Sequence, residues 1–191
     1  MEKTIYLDMD GVVANWEKSA LEVMDIEPEK IKDLLASPGR LLDKCDMSEV
    51  WGKIGEIGTS FWENLELLPW AQDLYDIGKK YGEVLFLTSP GTINKRPNGV
   101  AAACHGKIMW AHKYFPETDV IISKNKYHSA GPNKLLVDDT YKKLEPFIGA
   151  GGHAYHFPNQ WKILAGEIPI EQVLGELERK IQSMDKCYAN V

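Results

Sequence analysis

Near the start of this amino-acid sequence, two aspartates stand two residues apart where a short apolar run meets a glycine. The run, Thr4–Leu7, combines β-branched, aromatic and aliphatic residues, which predicts a buried strand, and Asp8, Asp10 and Gly11 follow it. A buried carboxylate is costly unless positive charge compensates it, and a divalent cation is a natural source of that charge. On its own such a motif is more often an exposed turn, so its interpretation depends on the rest of the chain.

Three later apolar runs also end on polar side chains. The runs are Glu83–Leu87, Asp119–Ile122 and Lys134–Val137. The polar residues behind them are Thr88 and Ser89, then Lys124 and Lys126, then Asp138 and Asp139. Because the carboxyl ends of parallel strands lie along one edge of a sheet, all four sets can converge there. Together they offer a nucleophile, an acid, hydroxyl groups, an ammonium and metal-binding carboxylates, which phosphoryl transfer through an aspartyl-phosphate requires.

The elements that must position these residues alternate between strands and helices. A fifth strand is predicted at His153–Phe157, a helix is predicted to end at Gly82, and the last helix extends from Pro169 to Met184 with amphipathic spacing. This alternation predicts an α/β fold with a doubly wound, mostly parallel sheet.

The segment between the first and second strands has a different character, because it is helical and aromatic and contains no convincing strand. Helix starts are predicted at Pro28, Ser48 and Thr59. The segment is too long for a simple crossover between parallel strands. We therefore predict that residues 15–70 form an inserted helical cap and that residues 1–14 and 71–191 form the catalytic core.

The composition argues against two classes of partner. The chain of 191 residues has a formal net charge of −6 and a pI near 5.4, whereas a surface that binds a nucleic acid polymer is usually basic. No apolar run approaches the roughly 18 residues of a membrane-spanning helix. The N-terminus lacks a signal-peptide pattern and the three cysteines lack paired spacing, so we predict reduced thiols and a cytoplasmic location.

The order of the motifs resembles that of the haloacid dehalogenase superfamily of phosphatases. The matching motifs are Asp8-Met9-Asp10-Gly11-Val12, Leu87-Thr88-Ser89, Lys126 and Val137-Asp138-Asp139. The match is closer to one branch, the 5'(3')-deoxyribonucleotidases, in which the cap also follows the first motif directly. Two further segments are similar to that branch, Phe61–Pro69 and Trp110–Pro116. The resemblance implies a Rossmann-like core with a small helical cap inserted after the first strand.

The resemblance also implies a role for each site residue. Asp8 would be the nucleophile that carries the phosphoryl group, and Asp10 would protonate the leaving oxygen and then activate water. The phosphate oxygens would be bound by Thr88 or Ser89 and by Lys126. The cofactor would be Mg²⁺, held by an Asp8 carboxylate oxygen, the Asp10 backbone carbonyl and Asp138 or Asp139.

Substrate selectivity is predicted to come from the inserted segment, because the edge of a parallel sheet supplies no base recognition. The candidates for stacking on a base are Trp51, Phe61 and Trp62, each of which could equally belong to the core of the cap. Lys124 is a further candidate substrate contact. The family tends to have arginine at that position, two residues before the third-motif lysine, and this spacing favours Lys126 over Lys124 as that lysine.

The leading interpretation is Mg²⁺-dependent hydrolysis of (deoxy)nucleoside 5'- or 3'-monophosphates through an aspartyl-phosphate. A phosphatase for a sugar phosphate or another small phosphate ester is a second interpretation on the same core. A third is a non-catalytic phosphate-binding or phospho-accepting module, which fits the presence of both Asp8 and Asp10 less well. The oligomeric state is left open, with a homodimer as one option.

Overall fold

The computed structural model describes residues 2–24, 26, 46–91 and 97–184. Within these residues the strands are β1 (Lys3–Leu7), β2 (Gly82–Thr88), β3 (Val120–Ile122), β4 (Lys134–Asp138) and β5 (His153–His156). They form one sheet in the order β3-β2-β1-β4-β5, and every neighbouring pair is parallel. The predicted α/β fold with a parallel, doubly wound sheet is confirmed. The helix predicted to start at Pro28 lies outside the described residues.

The central strands are apolar because both of their faces are covered. Ile5 and Leu7 are fully buried on one face of β1, and Tyr6 is almost fully buried on the other. Tyr6 packs edge-on against Phe147, with 6.2 Å between the ring centroids. A continuous apolar run of this kind is typical of parallel strands that lie between two layers of helices.

The described helices come between the strands and after the last one. They are α1 (Trp16–Glu22), α2 (Met47–Ile57), α3 (Thr59–Glu63), α4 (Ala71–Tyr81), α5 (Pro97–Tyr114), α6 (Tyr141–Gly149), α7 (Gln160–Leu164) and α8 (Ile170–Ser183). The short helix α7 was not predicted from the sequence. The Asn159 side chain caps its N-terminus by accepting a hydrogen bond from the Trp161 N–H at 2.9 Å. None of the helices in the described part of the chain is long and apolar enough to cross a membrane.

The chain divides into two compact units. The first, which we call the sheet unit, consists of Met1–Val13, Leu68–Ser89 and Asp119–Val191. The second, the helical unit, consists of Ala14–Leu67 and Pro90–Thr118. The helical unit therefore contains α5 as well as the inserted helices α1 to α3, whereas the sequence pattern placed α5 in the core.

The two ends of the inserted segment are joined inside the helical unit. Ala14 and Leu67 form an isolated antiparallel bridge. Next to it, the Asn15 N–H donates to the Glu66 carbonyl at 2.8 Å. The inserted chain thus starts and ends at one place.

Helix α5 belongs to the helical unit because it packs closely against α3. A Cβ atom on Gly106 would lie 2.5 Å from the Cβ atom of Trp62 and 2.6 Å from the carbonyl oxygen of Thr59, so only glycine fits there. One turn further along α5, the Trp110 indole donates to the Leu65 carbonyl at 2.8 Å. Periodicity in the sequence does not reveal such a contact, because the contact depends on the absence of a side chain.

Candidate active site

The central position of β1 decides which strand ends meet. β1 pairs with β2 on one side and with β4 on the other, and Leu7 lies opposite Val137. The ladder continues one residue further, because the Asp8 N–H donates to the Val137 carbonyl at 2.9 Å. Asp8 and Asp138 therefore leave neighbouring strands at the same level of the sheet edge.

Lys126 lies between these two carboxylates. Its Nζ atom is 2.8 Å from Oδ1 of Asp8 and 2.6 Å from Oδ2 of Asp138, and its side chain is only 1% exposed. Burial on its own would lower the pKa of the Lys126 ammonium, but the charges of Asp8 and Asp138 outweigh burial and raise that pKa above its usual value. The ammonium in this structure therefore stays charged and binds both strand ends together.

Asp138 shows that the cluster is short of positive charge. Burial, and next the charge of Asp8, raise the pKa of the Asp138 carboxyl to about 6. Lys126 and the Thr140 N–H, which donates to Oδ1 of Asp138 at 2.8 Å, act in the opposite direction but do not restore the ordinary value. A further cation near this carboxylate would stabilise its ionised form.

Three carboxylates at this edge could hold such a cation. Asp8, Asp138 and Asp139 each offer one oxygen atom, and these three atoms lie within 4.8 Å of one another. With Lys126 as the neighbouring ammonium, three negative charges face one positive charge. Oxygen ligands of this number and charge suit Mg²⁺. The carboxylate of Asp10 is not part of this group of three, in keeping with the expectation that Asp10 would contact the cation through its backbone carbonyl.

Gly11 gives Asp139 the space for its carboxylate. The backbone of Gly11 has φ +77°, a conformation that side chains disfavour, and a Cβ atom there would lie 2.8 Å from Oδ2 of Asp139. The other oxygen of this carboxylate accepts a hydrogen bond from the Thr140 hydroxyl at 3.0 Å. The sequence predicts a glycine turn behind Asp10, but the contact with Asp139 emerges only when the strands are assembled.

Thr88 and Ser89, the predicted phosphate-binding hydroxyls, stand at the end of β2 beside β1. Thr88 is fully buried, and its carbonyl accepts a hydrogen bond from the Ser123 N–H at 2.9 Å. The Ser89 hydroxyl lies 3.5 Å from the Ser123 carbonyl, at the limit of a hydrogen bond. The end of β2 is thus tied to the loop after β3 that leads to Lys126.

The two lysines of that loop have different environments. Lys126 is buried among the carboxylates, whereas the side chain of Lys124 is exposed. The carbonyl of Lys124 accepts a hydrogen bond from Nζ of Lys143, on the first turn of α6, at 2.9 Å. Burial, and next the charge of Lys126, lower the pKa of the Lys143 ammonium. Lys143 was not predicted from the sequence, where the available signal was a lysine on the first helical turn after Asp138 and Asp139.

The predicted base-binding residues Trp51, Phe61 and Trp62 belong to the helical unit. Trp62 is fully buried there; its ring makes a T-shaped contact with Phe61 at a centroid distance of 5.1 Å, and Nζ of Lys107 lies 4.8 Å from its ring centroid. Phe61 is 5% exposed. Trp51 is only partly buried and lies against Trp16, with 5.3 Å between the ring centroids. Of the three aromatic residues, Trp51 is therefore the most exposed.

Comparisons with known proteins find solved structures with a similar fold. No protein-family model matches the chain, and no curated protein matches it significantly. A haloacid dehalogenase-like family hydrolase from Xanthomonas campestris is similar with a TM-score of 0.57 and 11% sequence identity, over 97% of this chain and 94% of that one. A hydrolase from Streptococcus pneumoniae has a TM-score of 0.48 and 17% sequence identity, over 91% of this chain and 98% of that one. A haloacid dehalogenase-family enzyme from Bacteroides thetaiotaomicron, solved with magnesium and inorganic phosphate, has a TM-score of 0.45 and 15% sequence identity. That match covers 83% of this chain and 96% of the other.

The first of these structures identifies the fold. Nearly the whole length of both chains is matched, so the chain has the fold of a haloacid dehalogenase-like hydrolase. At 11% sequence identity, a shared fold does not show that the two proteins act on the same substrate. The resemblance to 5'(3')-deoxyribonucleotidases therefore still rests on the sequence motifs.

Proposed function

We propose that this protein is a Mg²⁺-dependent phosphomonoesterase that forms an aspartyl-phosphate on Asp8. The observation that carries the proposal is the position of the Lys126 ammonium, 2.8 Å from Asp8 and 2.6 Å from Asp138, with Asp139 in the same carboxylate group. In this proposal the nucleophile, the cation site and the ammonium that binds phosphate would lie together at one sheet edge. A structural ion pair alone would not need a third carboxylate facing the same space.

The contacts of Asp8 favour one of its oxygens as the nucleophile. Within the described residues, Oδ1 receives both the Met9 N–H at 2.8 Å and the Lys126 ammonium. We assign the attack on phosphorus to Oδ2. The Asp8 side chain is 12% exposed, so a ligand can reach it from solvent.

The reaction then proceeds in two balanced steps. In the first, Oδ2 of Asp8 forms a bond to phosphorus, the ester P–O bond breaks, and Asp10 gives its proton to the departing alcohol. In the second, water attacks phosphorus, Asp10 takes the proton back, and inorganic phosphate leaves with Asp8 regenerated. Bound Mg²⁺ would supply positive charge to the phosphate oxygens. An alcohol is a poor leaving group without a proton, which is why the reaction needs Asp10 as well as Asp8.

Lys126 would bind the phosphate oxygens together with the hydroxyl of Thr88 or Ser89. Its ammonium already contacts two carboxylates. A bound phosphate would therefore contact an ammonium that also contacts Asp8. Lys126 is a better candidate than Lys124 because its ammonium reaches the carboxylates, while the side chain of Lys124 is exposed.

For the substrate, we propose a (deoxy)nucleoside 5'- or 3'-monophosphate, with residues 15–70 as the segment that recognises the base. The sequence motifs support this choice, and so does the partial exposure of Trp51. Trp62 is fully enclosed within its unit, so we assign it to packing and keep Trp51 and Phe61 as the candidate stacking residues. Lys124 is kept as a candidate contact for the remainder of the substrate. A sugar phosphate remains the second candidate substrate.

The test is phosphate release by the purified protein with Mg²⁺, from an aryl phosphate and from a panel of deoxynucleoside monophosphates and hexose phosphates. We expect turnover that disappears with EDTA and with Asp8→Asn. Binding of phosphate without any turnover would instead support the non-catalytic module. Equal efficiency on thymidine monophosphate and on a hexose phosphate would contradict the nucleotide assignment and leave the phosphatase assignment standing.

A further inference from the structure

The loop that carries Lys126 is tied at two points, and the second tie is a side chain with no role in the proposed chemistry. At the first point, the Ser123 N–H donates to the Thr88 carbonyl at 2.9 Å and extends the sheet pairing. At the second, Nζ of Lys143 donates to the Lys124 carbonyl at 2.9 Å. Between the two ties, the Asn125 N–H donates to the Ser123 hydroxyl at 3.2 Å and closes a local turn.

We propose that Lys143 is a positioning residue, which holds the backbone of the loop Ser123–Lys126 so that the Lys126 ammonium meets Asp8 and Asp138. The inference rests on the proposed function, because it gives Lys126 the task of binding the phosphate. It adds a residue that no sequence motif marked.

The contacts of Lys126 require an accurate position of its backbone. Lys126 is fully buried, and its ammonium has to reach oxygen atoms of two different strands at 2.8 and 2.6 Å. Lys124 lies only two residues earlier, so a shift of its carbonyl is passed on along a short stretch of backbone. A displacement of about 1 Å at a reacting group can slow a reaction by about a hundredfold.

The placement of Lys143 also favours this role over a solvated surface charge. Its side chain is partly buried, and its ammonium is close enough to Lys126 for the two charges to repel. The charges of Asp138 and Asp8 attract this ammonium in turn, and its hydrogen bond goes to a backbone carbonyl of the loop. The neighbouring Lys142, on the same helical turn, is exposed and offers a matched control.

Two other roles for Lys143 are distinguishable from positioning. If Lys143 bound the phosphate directly, its removal would raise KM and weaken phosphate binding. If it served only the stability of α6, its removal would lower the thermal midpoint and leave kcat unchanged. Positioning predicts a lower kcat with KM and the thermal midpoint nearly constant.

The experiment compares Lys143→Met, Lys143→Arg and Lys142→Met in the full chain with saturating Mg²⁺ and an aryl phosphate. We expect Lys143→Met to lower kcat by about ten- to a hundredfold with KM within twofold. Lys143→Arg keeps a donor of similar reach and should recover at least a third of the wild-type kcat, and Lys142→Met should match the wild type. A kcat for Lys143→Met equal to that of Lys142→Met, or a change in KM alone, would overturn the proposal.

A second readout keeps the inference independent of activity. Amide hydrogen exchange at Ser123 and Asn125 should be faster in Lys143→Met than in Lys142→Met, while exchange in β1 stays unchanged. If the wild type proves inactive, the proposed function fails, and the exchange data still decide whether Lys143 braces the loop. Should Lys143→Met fail to fold, Lys143→Gln provides the same comparison, and unchanged exchange in that variant would overturn the proposal.

Discussion

Lys126 and Asp138 form an almost completely buried ion pair, in which 2.6 Å separates Nζ from Oδ2. The two residues are twelve positions apart in the sequence, but the pair joins the segment after β3 to the end of β4, and β2 and β1 lie between these two strands in the sheet. Asp8, at the end of β1, shares the same ammonium. One lysine therefore connects three of the four polar strand ends.

Removal of this lysine should affect stability as well as turnover. Lys126→Met leaves two carboxylates without their ammonium, and breaking a buried pair in this way costs about 3–5 kcal/mol of unfolding free energy. Chemical denaturation in EDTA measures that cost, and phosphate release with Mg²⁺ measures the loss of turnover. Lys124→Met is the control and should lose much less unfolding free energy and much less turnover than Lys126→Met. The reverse ranking would show that Lys124 is the third-motif lysine.

The aspartyl-phosphate mechanism predicts different behaviour for the two acidic residues of the first motif. Asp8→Asn should lose turnover by roughly a thousandfold or more, as nucleophile replacements do. Asp10→Asn should also be nearly inactive, yet with an aryl phosphate, whose leaving group needs little acid help, it should accumulate phosphoenzyme. Intact-mass spectrometry after rapid acid quenching detects that adduct. Full hydrolysis by Asp8→Asn would exclude the covalent route.

Cation binding should weaken in acid because of the raised pKa of Asp138. With that pKa near 6, the folded, cation-free protein holds a proton on Asp138 at pH 5 and has largely lost it at pH 7.5. A cation must displace this proton, so Mg²⁺ affinity should fall as the pH drops through about 6. Titration calorimetry at pH 5.0 and 7.5 measures the difference. Equal affinities at the two pH values would place the cation away from Asp138.

Gly11→Ala should damage the cation site specifically. The substitution places a side chain at φ +77°, which costs roughly 1–2 kcal/mol, and its Cβ atom would displace Oδ2 of Asp139. We expect a lower Mg²⁺ affinity together with a small loss of stability. Gly175→Ala is the matched control, because a Cβ atom at this position of α8 meets nothing within 4 Å. The control should be neutral or stabilising, by about 0.5–1 kcal/mol, as for other helical glycines.

Two aromatic residues of the helical unit should have different roles, Trp51 in recognition of the base and Trp62 in packing. Trp51→Ala should lower kcat/KM for a nucleoside monophosphate about tenfold, since stacking on a base contributes about 1–3 kcal/mol, and leave a hexose phosphate unaffected. Trp62→Ala should instead lower stability by about 3–5 kcal/mol, because it empties a buried position. Kinetics on both substrates and thermal unfolding of both variants test this. Equal losses on the two substrates in Trp51→Ala would assign Trp51 to packing as well.

The polar residues at the strand ends were predictable because each of them directly follows an apolar run. Asp8, Thr88 and Asp138 each follow a run whose apolar character predicts burial, so a polar residue there signals either a turn or a site, and the shared edge of parallel strands favours the site. Lys126 could be chosen only through the spacing of a family motif. Its double contact with Asp8 and Asp138 depends on the strand order, which alternation of helices and strands does not determine.

Other features depend on contacts between distant segments and were not predictable. Lys143 looks like an ordinary helix-surface lysine, and Gly106 looks like a weak point in a helix. Each gains its meaning from a partner far away in the sequence, the Lys124 carbonyl in one case and Trp62 in the other. Trp62 shows the same limit, because the sequence offers no way to tell an enclosed tryptophan from one that faces a ligand.

The close approach of Gly106 to Trp62 limits which segments of this chain could be exchanged for those of another protein. The inserted residues start and end at one bridge, so at first sight they form a cassette that could be exchanged for another. Helix α5, however, is encoded between β2 and β3 and is fitted to α3 where it has no side chain. A chimera that replaced residues 14–67 alone would pair a foreign helix with a surface shaped for Trp62. Productive exchanges should therefore carry residues 90–118 along with the insertion.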